Sequence, residues 1–462
     1  MSAVTDKPPT TAASTGTGRR TLGFTGLAIA SFLGCVDLTI VTTALPSITS
    51  SLDSSLVVSQ LVLSAFLTAL AVFMVTAGRL GDLLGRKPVL VLGIAVFVLA
   101  SVGAALAPSI GWLVVARFVQ GAACAILYTG TTTLVETLFP EGSRGRAVGL
   151  LYAVNGVGLA LGPVLGGLLV PAFGWAAVFW INVPFGIVAL LSIWVAVPSP
   201  PRSRGLPIDI PGQAFLALAV GGLAAVASLP ETTGWVSVPI AVAVLAVIVG
   251  AVGTVIVERR AAAPLIRLDL FRHPRFRAAL TSDFLLAAFY ASALLVLPPY
   301  LAYRHGLDVR STGLALLLVS ATMALSSPRV GRWVDQSGPV RPLVSGFTAF
   351  TATAVLLFVG AVVGSLPVLL VGFVTFGLGW ALILAPATLA ALSAVDRQEA
   401  GFAVGASWTF HNLGGALGAA VAAGLFATAD PQTGLLRVTV LLVVSAVIGL
   451  IANALIPRGA ER

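Results

Sequence analysis

Between two long apolar runs the chain reads GRLGDLLGRKPVL, from Gly78 to Leu90. Arg79, Asp82, Arg86 and Lys87 crowd into this short stretch of a chain whose residues are only 9% charged, with Gly78, Gly81 and Gly85 set among them at fixed offsets. The pattern Gly-Arg-x-x-Asp-x-x-Gly returns at Gly331, Arg332, Asp335 and Gly338. Both copies follow the second apolar segment of a set of six, so the chain reads as a duplication.

The surrounding composition says what is duplicated. Of the 462 residues 58% are hydrophobic, mean hydropathy is +1.04, and aliphatic runs of about 20 residues, the length of a bilayer-crossing helix, alternate with short charged gaps. The period-2 alternation of a membrane β-barrel is absent, which leaves the α-helix. The expected fold is therefore an all-α polytopic membrane protein of 14 transmembrane helices: two six-helix repeats, at 22–197 and 278–456, plus two extra central helices within a linker at 198–277. Residues 1–21 are expected to be a disordered cytoplasmic tail, and 457–462 a second short one.

Charge supports that count. With both termini cytoplasmic, all but four of the 26 basic residues fall on the inner side, the exceptions being Arg304, Arg310, Arg437 and the intramembrane Arg117. The net charge of +9 thus reports topology, and no nucleic-acid partner is expected. Cys35 and Cys124 lie inside apolar runs, which suggests neither a disulfide framework nor a metal site. Arginine far outnumbers the two lysines, Lys7 and Lys87, a sign of GC-rich coding and of a bacterial cytoplasmic membrane.

Parallel six-helix repeats build alternating-access transporters with a site between the halves. In that frame the charged repeat is a close-packed joint at the cytoplasmic end of one helix and the start of the next, where Arg79 and Arg86 suit a helix C-terminus and Asp82 can meet a helix N-terminus or an arginine. A joint that is made in one state and broken in the other is a gate. A turn that only fixes topology is the plainer alternative.

GRLGDLLGRKPVL resembles the signature loop of the major facilitator superfamily, and further stretches resemble its 14-helix drug:proton antiporter family. These are DLTIVTTALPSI (Asp37 to Ile48), LVVARFVQGAACA (Leu113 to Ala125), GVGLALGPVLGG (Gly156 to Gly167), FWINVPFG (Phe179 to Gly186) and PLIRLDLFRHPRF (Pro264 to Phe276). Gly156, Gly158, Gly162, Pro163, Gly166 and Gly167 form a smooth face on a helix kinked by its proline. In the family such a helix typifies antiporters.

Two intramembrane charges stand out. Asp37 lies roughly 15 residues into the first span and Arg117 about six residues into the fourth, entering from the other side, so their depths are comparable. Charges there are expensive and usually functional. The resemblance implies that Asp37 titrates with the transport cycle and that Arg117 tunes it; a static ion pair is the alternative. Gln120, one turn from Arg117, can share its network or the substrate. Asn155 and Asn182 are substrate or interhelical hydrogen-bonding candidates. His411 stands where the family more often has an Arg-Gln pair, and reads as either a titratable or a packing histidine. Asp283 reads as a helix-start cap and Glu136 as interfacial.

No phosphate-binding loop accompanies either lysine, which excludes an ATP-driven pump within this chain. The three histidines are scattered, which argues against an enzyme. The expectation is a monomeric, cofactor-free, proton-coupled antiporter that exports hydrophobic or amphipathic small organic molecules. Its partners are the lipid bilayer, protons and a small-molecule substrate. A proton-coupled importer or facilitator of a small nutrient with the same fold is the alternative.

Overall fold

The computed structural model describes residues 17–140, 142–199, 209–228, 237–260, 270–427 and 430–455. The expected tails lie outside these residues apart from 17–21, which are already helical rather than disordered. Most of the linker segments flanking the two extra helices also lie outside.

Among the described residues the architecture is all-helical. The first half contains α1 (Thr17–Ser51), α2 (Leu56–Leu84), α3 (Arg86–Ala105), α4 (Ile110–Leu138), α5 (Arg144–Phe173) and α6 (Ala177–Ala196). A hairpin of α7 (Ile210–Ser228) and α8 (Val238–Glu258) follows. The second half contains α9 (Pro274–His305), α10 (Val309–Ser337), α11 (Val340–Val363), α12 (Leu366–Ser393), α13 (Ala400–Ala427) and α14 (Pro431–Ala454). Twelve of these helices are long and apolar enough by themselves to cross a membrane. The two outside that set are α7 and α13; α13 carries Ser407, Thr409, His411 and Asn412 and faces the protein interior over much of its length.

Helix ends follow from local chemistry. Ser55 and Ser109 cap α2 and α4 by accepting from the N–H groups of Val58 and Trp112. Asp308 and Asp430 cap α10 and α14, and hydrogen bonds from Ser311 and from Thr433 hold these two exposed carboxyls below the usual range.

Within the first half α1 packs on α5 and α6, and α4 on α2 and α3; within the second, α9 packs on α13 and α14, and α11 on α12 and α14. The largest contacts between the halves are α2 on α13 and α5 on α10, with α13 also touching α4 and α12 touching α5, and α7 rests against both α2 and α13. Large apolar side chains such as Leu99, Leu168 and Leu325 point outward, as lipid requires and water does not. The seams between halves are lined by small residues. A Cβ on Gly401 would collide with the Gly78 carbonyl, and one on Gly331 with the Gly145 carbonyl. The backbones meet there without side chains between them.

The structure corrects the reading of the charged repeat as a loop. Helix α2 continues through Gly78, Arg79, Gly81 and Asp82 to Leu84, and α3 starts at Arg86, so the connection is the single residue Gly85 at φ 102°. In the second copy α10 carries Gly331, Arg332 and Asp335, and the turn is made at Gly338, φ 74°, with Pro339 before α11. Glycine is the residue that adopts such angles without strain.

Candidate functional site

At this end of the bundle each charged repeat reaches across to the opposite half. Asp82 is 3% exposed; its Oδ1 accepts from the Gly401 N–H at 3.0 Å and its Oδ2 from the Phe402 N–H at 2.9 Å. Those N–H groups belong to the first turn of α13, among its orphan donors, so Asp82 is a cap supplied in trans. Arg86 fixes the carboxylate from behind, donating to Oδ1 through Nε and Nη2 at 3.2 Å each, and also donates to the Arg397 carbonyl. Asp335 repeats the arrangement at the other seam. It accepts from the Gly145 N–H at 2.7 Å and the Arg146 N–H at 2.9 Å, at the start of α5. Of the remaining charges, Arg332 is exposed and Lys87 donates to the Trp194 carbonyl of its own half at 2.8 Å, so neither joins the cross-half contact. Glu136 sits near the end of α4 within electrostatic reach of Arg144, Arg86 and Arg397.

Deeper in the first half, Asp37 and Arg117 are buried, 0% and 1% exposed, and form an ion pair. Gln120 accepts from Arg117 Nη1 at 2.7 Å and donates to Asp37 Oδ1 at 3.2 Å; Asn182 donates to the same Oδ1 at 3.0 Å. Arg117 Nε donates to the Val62 carbonyl at 3.2 Å, and the guanidinium lies 4.1 Å from the Phe66 ring centroid. Ser101, which the sequence did not single out, accepts from Gln120 at 2.8 Å and Asn182 at 3.3 Å. The network thus ties α1, α2, α3, α4 and α6 together, and Asp37 is fully engaged within it. Asn155 stands apart, accepting from the Ser31 hydroxyl at 2.7 Å across the α1–α5 contact.

The glycine-rich face of α5 divides its contacts. Gly158, Gly162 and Gly166 meet α1 at Cys35, Thr39 and Thr43; Gly156 faces Met323 of α10; Gly167 faces open space. Pro163 has no N–H to give the Leu159 carbonyl one turn back, and the Thr39 hydroxyl of α1 donates to that carbonyl at 3.2 Å instead.

Between the halves lies an aromatic cluster that sequence reading missed. Trp408 of α13 packs at 4.8 Å from Tyr128 of α4 and at 6.3 Å from Tyr152 of α5, and the Tyr152 hydroxyl is 2.8 Å from that of Thr388 on α12. Tyr290 of α9 stacks on Trp380 of α12 at 4.3 Å. His411 is 4.9 Å from Trp408, centroid to centroid, and its Nε2 is 3.3 Å from the Tyr290 hydroxyl. Asp283 corrects another expectation. It caps nothing, because α9 already begins at Pro274; it is buried in the third turn of that helix and accepts from the Ser407 hydroxyl. The available sequence signal was a set of aromatic residues in helices that also carry polar residues, which by itself does not separate a cluster from packing.

Two pseudo-equivalent six-helix bundles meeting along small-residue seams, with polar and aromatic groups between them, define a multi-pass membrane transporter. The sequence profile of the Major Facilitator Superfamily matches residues 27–419, and the chain belongs to that family. It is 34% identical over 420 residues to "Multidrug resistance protein Stp" of Mycobacterium tuberculosis, covering 89% of this chain and 77% of that one. It is 31% identical over 404 residues to the "Tetracenomycin C resistance and export protein" of Streptomyces glaucescens, covering 87% and 75%. The fold matches the crystal structure of the human organic anion transporter MFSD10 (TETRAN) with a TM-score of 0.69 at 18% identity, over 93% of this chain and 99% of that one.

Proposed function

We propose that the protein is a proton-coupled antiporter that exports hydrophobic or amphipathic small organic molecules by alternating access. In this reading all 14 helices span a bacterial cytoplasmic membrane, both termini are cytoplasmic, and a monomer works without a cofactor, driven by the proton gradient. The observation that carries it is the reciprocal capping of α13 by Asp82 and of α5 by Asp335. Each is a contact between halves that rigid-body rocking makes or breaks as a unit, which is what a gate requires. With the charged repeats on the cytoplasmic side, the gate is closed toward the cytoplasm here. The names of the relatives, multidrug resistance and tetracenomycin export, support efflux over nutrient import.

Coupling is assigned to Asp37, whose carboxylate is held by Arg117, Gln120 and Asn182 inside a single half. Protonation from outside would release Arg117 and loosen five helices together, a local charge change with a global readout. Inverted vesicles test the reading. An aromatic dye should accumulate only under a pH gradient, collapse with a protonophore, and fail to accumulate with Asp37→Asn. Accumulation by that variant equal to the parent's would defeat the coupling assignment, and gradient-driven movement in the opposite direction would select the importer. Reporter fusions after Arg204, Thr232 and Arg275 should report inside, outside and inside; an external signal after Arg275 would overturn the 14-span topology.

A further inference from the structure

We infer that the outside of the first half carries a binding site for the phosphate headgroup of an anionic phospholipid, built by Arg19 of α1 and Lys87 of α3 against the last turn of α6. It takes no residue from the cross-half caps or from the Asp37 network. Arg19 Nη2 donates to the Val195 carbonyl at 3.2 Å and Lys87 Nζ to the Trp194 carbonyl at 2.8 Å, two neighbouring carbonyls at the end of α6. One helix end thus draws together cations from two other helices, close enough for Arg19 to act electrostatically on Lys87. Arg20, also in the first turn of α1, adds a third charge, and its Nε is buried without a partner among the described residues.

Nothing at this corner balances those charges. Among the described residues none of the three makes an ion pair, whereas Arg86 is paired with Asp82, and Arg144 and Arg397 stand within electrostatic reach of Glu136. The last carbonyls of a helix present about half a negative charge, against two full positive ones here, so a single cation would have served to cap α6. Neither cation is there for its own helix, because the first turns of α1 and α3 favour acids and contain none. The positive-inside rule accounts for basic residues at this end of the bundle, but it asks for no convergence from separate helices. A surplus of more than one positive charge, held in place by hydrogen bonds, calls for an anion.

The surroundings select that anion. Leu22 and Leu191 lie one turn deeper on the same helix faces as Arg19 and Trp194, and both are exposed, so an apolar ledge runs from the cations toward the bilayer centre. Trp194 is itself exposed, with its ring centroid 5.9 Å from Lys87 Nζ, and tryptophan is a residue that membrane interfaces enrich. A phosphodiester under Arg19 and Lys87 with its acyl chains along the ledge meets both features, whereas free phosphate meets only the charges. Basic clusters beside a membrane surface recognise anionic headgroups through the same attraction. All three helices belong to the first half, so the site survives separation of the halves.

The test is native mass spectrometry of the purified full-length protein in detergent, titrated with dioleoylphosphatidylglycerol or with zwitterionic dioleoylphosphatidylcholine. Each basic residue near an anionic headgroup contributes about 5-fold in affinity, so the double variant Arg19→Gln, Lys87→Gln should bind phosphatidylglycerol about 25-fold more weakly and phosphatidylcholine as the parent does. The exchange Arg19→Lys, Lys87→Arg should retain most of the affinity. Arg259→Gln with Arg260→Gln removes the same charge from exposed positions after α8 and should leave the affinity near the parent's. Equal losses in the two Gln pairs, or no preference of the parent protein for phosphatidylglycerol, would overturn the inference. Displacement of the lipid by inorganic phosphate at equal concentration would do so as well, since the site would then read a free anion. Were the Arg19→Gln, Lys87→Gln variant not to fold, unchanged affinity in Arg19→Gln alone, at an exposed position, would have the same force.

Discussion

Replacing Asp82 by asparagine should shift the protein toward the state in which the halves separate at the charged repeats. The magnitude follows from what the carboxylate holds: the Gly401 and Phe402 N–H groups and two N–H groups of Arg86, all within 3.2 Å. An amide keeps one acceptor oxygen and turns the other position into a donor facing donors. At least one charge-assisted hydrogen bond is lost, worth about 1.5–3 kcal/mol, together with about 0.3–1 kcal/mol of attraction to the α13 N-terminus. The sum of about 2–4 kcal/mol is a factor of about 30 to 1,000 in the equilibrium, enough at the upper end to turn a 1% open population into the majority. Spin labels at Leu84 and Ser393, both exposed and on opposite halves, would report this by pulsed electron resonance in nanodiscs; native Cys35 and Cys124 are buried. The distance distribution of Asp82→Asn should gain a longer component. Asp335→Asn should do the same, and the double variant should multiply the two factors if both caps bias one equilibrium. Distributions unchanged in all three variants, with unchanged transport, would refute the reasoning and leave the repeat a topological turn.

Arg117→Ala leaves Asp37 buried without a cation and should cost about 3–5 kcal/mol, read as a lowered unfolding temperature in detergent. Arg117→Lys should recover only part of this, because a lysine does not reproduce the fork that also reaches Val62 and covers Phe66; equal stability of Lys and Arg variants would count against the network. Gly401→Ala drives a methyl group into the Gly78 carbonyl, and at about 1–3 kcal/mol of overpacking it should produce the same longer spin-label component as Asp82→Asn; unchanged distances would show that the seam can yield. Thr39→Val withdraws the hydroxyl that serves the Leu159 carbonyl above Pro163 and should lower stability by about 1 kcal/mol, whereas no change would mean another donor takes its place.

The repeat, the helical class and the approximate ends of the helices were legible in the amino-acid sequence, because hydropathy and self-similarity are properties of neighbouring residues. Even Asp37 and Arg117 could be matched in depth by counting residues from opposite sides, and the structure joins them. Hydropathy misled at Gly78 to Leu84, where charged and small residues end the apolar run but not the hydrogen-bonded helix. What only the tertiary structure decided is which side chains meet. Asp82 accepts from a helix-start N–H 319 positions further along the chain, Ser101 receives two amides from other helices, and Tyr128, Tyr152, Tyr290, Trp380 and Trp408 converge from five helices. Such meetings depend on how each helix is rotated about its axis and at what angle it crosses its neighbours. Those angles are set by packing over the whole bundle, and a local pattern of 3.6 residues per turn carries no record of them.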